Sequence, residues 1–112
     1  MKRDMELIRK ILFEIEDSFE PGQGLLLGLP IEGYEMKVIG SHCELLYQAG
    51  LINDFKPSRG GMGNMLLFFS IGNLTNRGYD YLELIRNDER WAQTEEEVKK
   101  KIFRKQLRHM EQ

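Results

Sequence analysis

Two stretches with apolar residues spaced by three and four, a short apolar run between them, and a glycine-rich turn joining two strand-like runs ahead of a capped helix predict a small α+β fold. The order helix, short strand, helix, β-hairpin wing is that of a winged helix, here followed by two C-terminal helices. With 112 residues, 41% of them apolar, the chain can fill one hydrophobic core rather than two. The expected organisation is a winged-helix domain over residues 1–92, with residues 93–112 as an amphipathic helical extension of the same domain.

Asp4 is a suitable N-cap, and Leu7, Ile8, Ile11, Leu12, Ile15 and Phe19 follow as one apolar stripe. The first helix is therefore expected from about Met5 to Phe19. Phe13 falls on the opposite, charged side with Glu6, Lys10 and Asp17, a placement that suits contact with another segment or a second subunit. Pro21 to Gly24 is turn punctuation, and Leu25 to Leu29 reads as a short edge strand weakened by Gly28 and Pro30. From Glu35 to Ala49 the helical period returns, and at about 100° per residue Val38, Ile39, His42, Leu45, Leu46 and Ala49 share one face. Lys37, Gly40, Ser41, Glu44, Tyr47 and Gln48 share the other, and Gly50 suits the left-handed position that closes a helix.

Leu51 to Lys56 and Met65 to Ile71 are the expected hairpin strands, joined by a long loop from Pro57 to Asn64 whose glycines suit its tip. Thr75 caps the next helix, in which Tyr79, Leu82 and Ile85 mark an inner stripe as far as about Asp88. Thr94 caps the last, with Glu95 to Glu97 in its first turn and Lys105, Arg108 and His109 near its end, complementing the helix dipole. Val98, Ile102, Phe103, Leu107 and Met110 occupy one side of that helix; Lys100, Lys101, Arg104, Lys105 and Arg108 occupy the other. An apolar stripe with no core left to cover predicts packing on the first helix or a homodimer formed through this segment.

The runs Leu46-x-x-Ala49-Gly50-Leu51-Ile52 and Leu74-Thr75-x-x-Gly78-x-x-x-Leu82 look like the punctuation found on either side of a wing. Taken with Met1 to Met5, Leu7-Ile8-Arg9, Gly33-Tyr34, His42, Ile85 to Asp88 and Trp91, the chain resembles a domain-of-unknown-function family. That family comprises short proteins of Gram-positive bacteria and their phages, related to the YjcQ-like winged-helix proteins. The resemblance spans about residues 1–95, implies a winged-helix fold, and carries over no catalytic residue. One departure bears on function: only Pro30 to Tyr34 separates the short strand from the Glu35 helix. The helix that ordinarily braces a reading helix is therefore expected to be missing or reduced to a turn.

Sixteen basic and 18 acidic side chains give a net charge of −2, which argues against a protein that coats nucleic acid nonspecifically. The charge is unevenly spread, at −4 over residues 1–94 and +2 over residues 95–112. No apolar run approaches the roughly 20 residues of a membrane helix, and the N-terminus enters an amphipathic pattern directly, so a cytoplasmic protein without membrane contact is expected. A lone cysteine, Cys43, allows no internal disulfide and no cysteine-based zinc site. His42 projects at the centre of an apolar helix face, as a hydrogen-bonded structural histidine does, and His109 has no metal-ligand partner at suitable spacing. Gly60 to Gly63 is followed by a strand, where a phosphate loop needs a helix.

Accordingly no enzymatic activity, cofactor, metal or small-molecule ligand is expected. Two readings stay open. In the first, a transcriptional-regulator-like, phage-related protein binds double-stranded DNA as a dimer, with Lys37, Ser41 and Gln48 on the reading helix and Lys56 and Arg59 at the wing. Phe13, Val98, Ile102, Phe103, Leu107 and Met110 are then its partner or dimer contacts. In the second, the same frame is a protein-interaction module that does not bind DNA. Fold analogy carries the first. The second is favoured by the abbreviated helix pair and by a balance of three basic and three acidic side chains over residues 34–71.

Overall fold

A computed structural model of the chain describes residues 2–88, an α+β arrangement of three helices and a three-stranded antiparallel sheet. One compact unit spans Met1–Leu82 and a second begins at Glu83. The expected Thr94 helix, the boundary at residues 92 and 93, and the candidate contacts Val98, Ile102, Phe103, Leu107 and Met110 lie outside the described residues.

Helix α1 spans Met5–Ser18. It starts where expected, because the Asp4 carboxylate accepts the Leu7 N–H at 3.1 Å and so satisfies a donor in the helix's open first turn. Leu7, Ile8, Ile11, Leu12 and Ile15 are all buried, and burial of each contributes about 1.5–3 kcal/mol. Phe19 has already left the helix and is half-buried, its N–H closing the last turn on the Ile15 carbonyl. Phe13 is half-buried as well, rather than standing open among the charged residues.

Helix α2 spans Met36–Gln48 and is ended by Gly50 at φ 77°. The Gly50 N–H donates to the Tyr47 carbonyl and the Leu51 N–H to the Leu46 carbonyl, at 3.0 and 2.9 Å, the pair of bonds that defines a Schellman cap. The helix sits rotated relative to the expected face. Gly40, assigned to the outer side, is buried, while Val38 and Leu45 are only half-buried and Ala49 is exposed. The cause is steric: a Cβ on Gly40 would overlap Leu66 and stand 2.8 Å from Phe69 Cδ1. The sheet approaches most closely where the helix has no side chain, and Cys43 turns inward with it.

The strands are β1 (Leu26–Leu27), β2 (Phe55–Gly60) and β3 (Met65–Ile71), ordered β1-β3-β2 with β3 in the middle. β1 lies at the expected edge but is shorter than the Leu25 to Leu29 run, because Gly28 at φ 76° turns the chain directly after Leu27. β2 is displaced from the expected Leu51 to Lys56. Residues 51–54 pair with the chain that follows the hairpin, through an Ile52–Leu74 bridge and an Asn53 N–H donated to the Asn73 carbonyl at 2.8 Å. Pro57 is tolerated inside β2 because β2 is an edge strand. The long loop expected from Pro57 to Asn64 shrinks to a tip over Gly61 to Asn64, in which Gly61, Gly63 and Asn64 adopt positive φ. A bulge then leaves Leu67 without a partner on β2.

Residues 76–88 form helix α3. Thr75 caps it, its hydroxyl oxygen accepting the Gly78 N–H at 3.0 Å while its hydroxyl proton goes to the Gly50 carbonyl at 2.6 Å. The Thr75 N–H reaches the Leu51 carbonyl at 3.0 Å, and a Cβ on Gly78 would overlap that same carbonyl oxygen. The Ala49-Gly50-Leu51-Ile52 and Leu74-Thr75-x-x-Gly78 signatures are thus two halves of one junction. Leu82 and Ile85 are buried as expected, but Tyr79 is 40% exposed, its hydroxyl held by Asn73 instead of entering the core.

Candidate functional site

Two surfaces of the first unit compete for a functional role. The first is a depression of about 330 Å³ between α2 and the hairpin, lined by Lys37, Val38, Ser41, Arg59, Asn64, Met65 and Leu66. It brings together Lys37, Ser41 and Arg59, three of the five residues expected to meet nucleic acid. Each is already engaged. Arg59 Nη2 lies 2.9 Å from Glu44 Oε2, Lys37 Nζ lies 3.4 Å from Glu35 Oε2, and Ser41 Oγ donates back to the Lys37 carbonyl at 2.8 Å. Arg59 therefore stands on strand β2, tied to helix α2.

The other two expected contacts do not join this groove. Gln48 is exposed at the far end of α2, roughly 16 Å along the axis from Lys37 at the helical rise per residue. Lys56 is exposed on β2 opposite Ser70, whereas Phe69, the buried neighbour of Ser70, points to the helix side. Alternation along the strand puts Lys56 on the reverse face of the sheet. Gln48 and Lys56 thus lie apart from the groove that holds Lys37, Ser41 and Arg59.

Two chemistry-bearing side chains inside the unit, His42 and Cys43, are buried. His42, 1% exposed, donates from Nδ1 to the Val38 carbonyl at 2.8 Å and accepts the Asp4 N–H on Nε2 at 3.0 Å. Both ring nitrogens are used, and the second bond ties α2 to the cap of α1. Cys43 is fully buried, and that burial pushes its thiol up to about 12, which leaves it a poor nucleophile at neutral pH. Among the described residues no group of three or more His, Cys, Asp or Glu could hold a metal ion, and no helix is long and apolar enough to cross a membrane.

The second surface was not foreseen. A depression of about 550 Å³ runs between β1, the following turn and the start of α2, with Leu27, Met36 and Phe68 at its walls and the buried Leu29 and Ile39 beneath. Residues Ile31 to Tyr34, the segment expected to be reduced to a turn, form a hydrogen-bonded turn beside this trough with Gly33 at φ 88°. Pro30, Ile31 and Glu32 also line an adjoining depression of about 380 Å³ that ends on Lys10, Phe13 and Glu14 of α1. Phe13, expected as a partner contact, is thereby part of this surface. The walls are strongly exposed for their type: Leu27 is 78% exposed, Phe68 42% and Met36 37%. Desolvation, and then the Asp4 carboxylate, push the Tyr34 phenol above its ordinary range. A signal for this surface existed in the sequence. Met65 to Phe69 is apolar at every position, so both faces of the central strand carry apolar side chains, whereas a half-covered strand would alternate.

An uncharacterised protein of Haemophilus influenzae is 35% identical over 101 residues, which cover 90% of this chain and 81% of that protein. No solved structure matches the chain. Residues 2–104 match the family described as hypothetical protein (DUF2513), and the chain belongs to that family.

Proposed function

We propose that this chain is a protein-interaction module built on a winged-helix frame, with the apolar trough beside β1 as its working surface. The observation that carries the reading is the contrast in setting: Arg59 and Lys37 each stand beside a carboxylate, Glu44 and Glu35, while Leu27, Met36 and Phe68 stand exposed beside one concavity. Phosphate binding needs cations free to replace counterions. Partner proteins are recognised by apolar anchors set in a pocket. The winged-helix frame is supported by the order α1, β1, α2, hairpin, α3, by β1 pairing antiparallel to β3, and by the junction that Thr75 and Gly78 make with Leu51. The turn at Ile31 to Tyr34 is its main departure. Binding, not catalysis, is the role assigned.

Double-stranded DNA binding through α2 and the hairpin is the second reading, favoured by the convergence of Lys37, Ser41 and Arg59 on one groove. It requires Glu35 and Glu44 to release both cations. A salt titration of binding to a fluorescent DNA duplex separates the two. The expected result is that Lys37→Ala with Arg59→Ala leaves any low-salt association unchanged. A slope of log K against log salt that becomes shallower by about two in the double variant would sink the protein-interaction reading.

A further inference from the structure

We infer that the trough beside β1 receives a second copy of this chain, which fills it with the apolar residues of its segment 94–112. The inference rests on the protein-interaction reading and names the partner. The trough demands a particular occupant. Its walls and floor are apolar, and the charges beside it that are free of an ion pair among the described residues are Glu14 and Glu32. Lys10, the cation on this rim, is held 3.5 Å from Glu6 and lies 5.5 Å from the centre of the Tyr34 ring. A fitting partner therefore presents an apolar stripe flanked by positive charge.

The chain carries that pattern in its own residues 94–112. Val98, Ile102, Phe103, Leu107 and Met110 recur at helical spacing, with Lys100, Lys101, Arg104, Lys105 and Arg108 between them. The charges are complementary, since residues 95–112 carry +2 and the remainder of the chain −4. Two copies exchanging these segments form two identical junctions, the self-complementary arrangement that closes a twofold dimer.

Sedimentation equilibrium of the full chain tests this with two sets of substitutions. Met36→Glu with Phe68→Glu spoils the trough; Ile102→Glu with Phe103→Glu spoils the segment. Each set is expected to weaken a micromolar dimer by at least about tenfold. An equimolar mixture of the two variants is expected to recover association that neither shows alone, because it restores one intact junction. Leu27→Glu, at a side chain 78% exposed, repeats the trough experiment without disturbing the core. A chain that is monomeric throughout, a dimer indifferent to the trough substitutions, or a mixture that fails to associate would overturn the inference. A monomer that also ignores duplex DNA overturns this docking alone. DNA binding that depends on Lys37 and Arg59 overturns the reading beneath it.

Discussion

The groove between α2 and the hairpin and the trough beside β1 lie in the same small unit and solve opposite problems. In the groove, polar residues sit close together and satisfy one another: Arg59 with Glu44, Lys37 with Glu35, Ser41 with the Lys37 carbonyl. In the trough, apolar side chains sit close together over a floor of Leu29 and Ile39, and Leu27, Met36 and Phe68 keep exposed surface. A count of charges therefore overstates the groove, because exposed pairs spend their electrostatics on each other. A count of hydrophobic residues hides the trough, because exposure is decided by which side of β3 the helices cover.

The largest break in this comparison comes from Phe69, which is fully buried in the central strand against Gly40 of α2 and beside Phe55 and Phe68. Phe69→Ala is expected to cost about 3–5 kcal/mol and to disturb both surfaces together, read as a fall in the denaturant midpoint. Next is Gly78→Ala. Helix propensity alone would make it stabilising by about 1 kcal/mol, whereas overlap with the Leu51 carbonyl makes it destabilising by about 1–3 kcal/mol. Thermal unfolding decides the sign. A stabilised variant would show that the junction between the two signatures is loose.

A pH measurement probes the dryness of α2's inner face, which also floors the trough. The Cys43 thiol is raised by burial to about 12 in the folded chain, against about 8.5 unfolded. Its contribution to stability is therefore complete below the unfolded value and is lost as pH rises from there through the folded value. The wild-type chain is expected to lose stability faster than Cys43→Ala across that alkaline window, and equal slopes would mean that water reaches the thiol. The smallest effect belongs to the groove. Arg59→Ala removes a partly exposed pair and is expected to change stability by less than about 1 kcal/mol. A larger loss would make the groove a structural clamp.

What could be read from the residues follows from how local each cause is. The Asp4 cap, the α1 stripe from Leu7 to Ile15, the Gly50 ending of α2 and the Thr75 cap depend on neighbours a few positions away, and each stands where its sequence places it. The rotation of α2 does not, since Gly40 is drawn inward by Leu66 and Phe69 from another element. The start of β2 is decided by residues after the hairpin, where Asn73 and Leu74 claim Ile52 and Asn53. The same holds for function. Lys37, Ser41 and Arg59 were identifiable as polar positions, but the carboxylate beside Arg59 comes from a helix 15 residues away in sequence. The trough combines β1, a turn, α2 and β3, and only the unbroken apolar run of β3 announces it.

Residue-resolved amide spectra of the full chain, followed on serial dilution and on addition of duplex DNA at low salt, test the central claim most directly. Dilution is expected to shift the amides of Leu27, Gly28, Ile31 to Tyr34, Met36 and Phe68, while DNA leaves those of Lys37, Ser41 and Arg59 in place. Movement of Lys37, Ser41 and Arg59 on adding DNA, with the trough unmoved by dilution, would contradict the account.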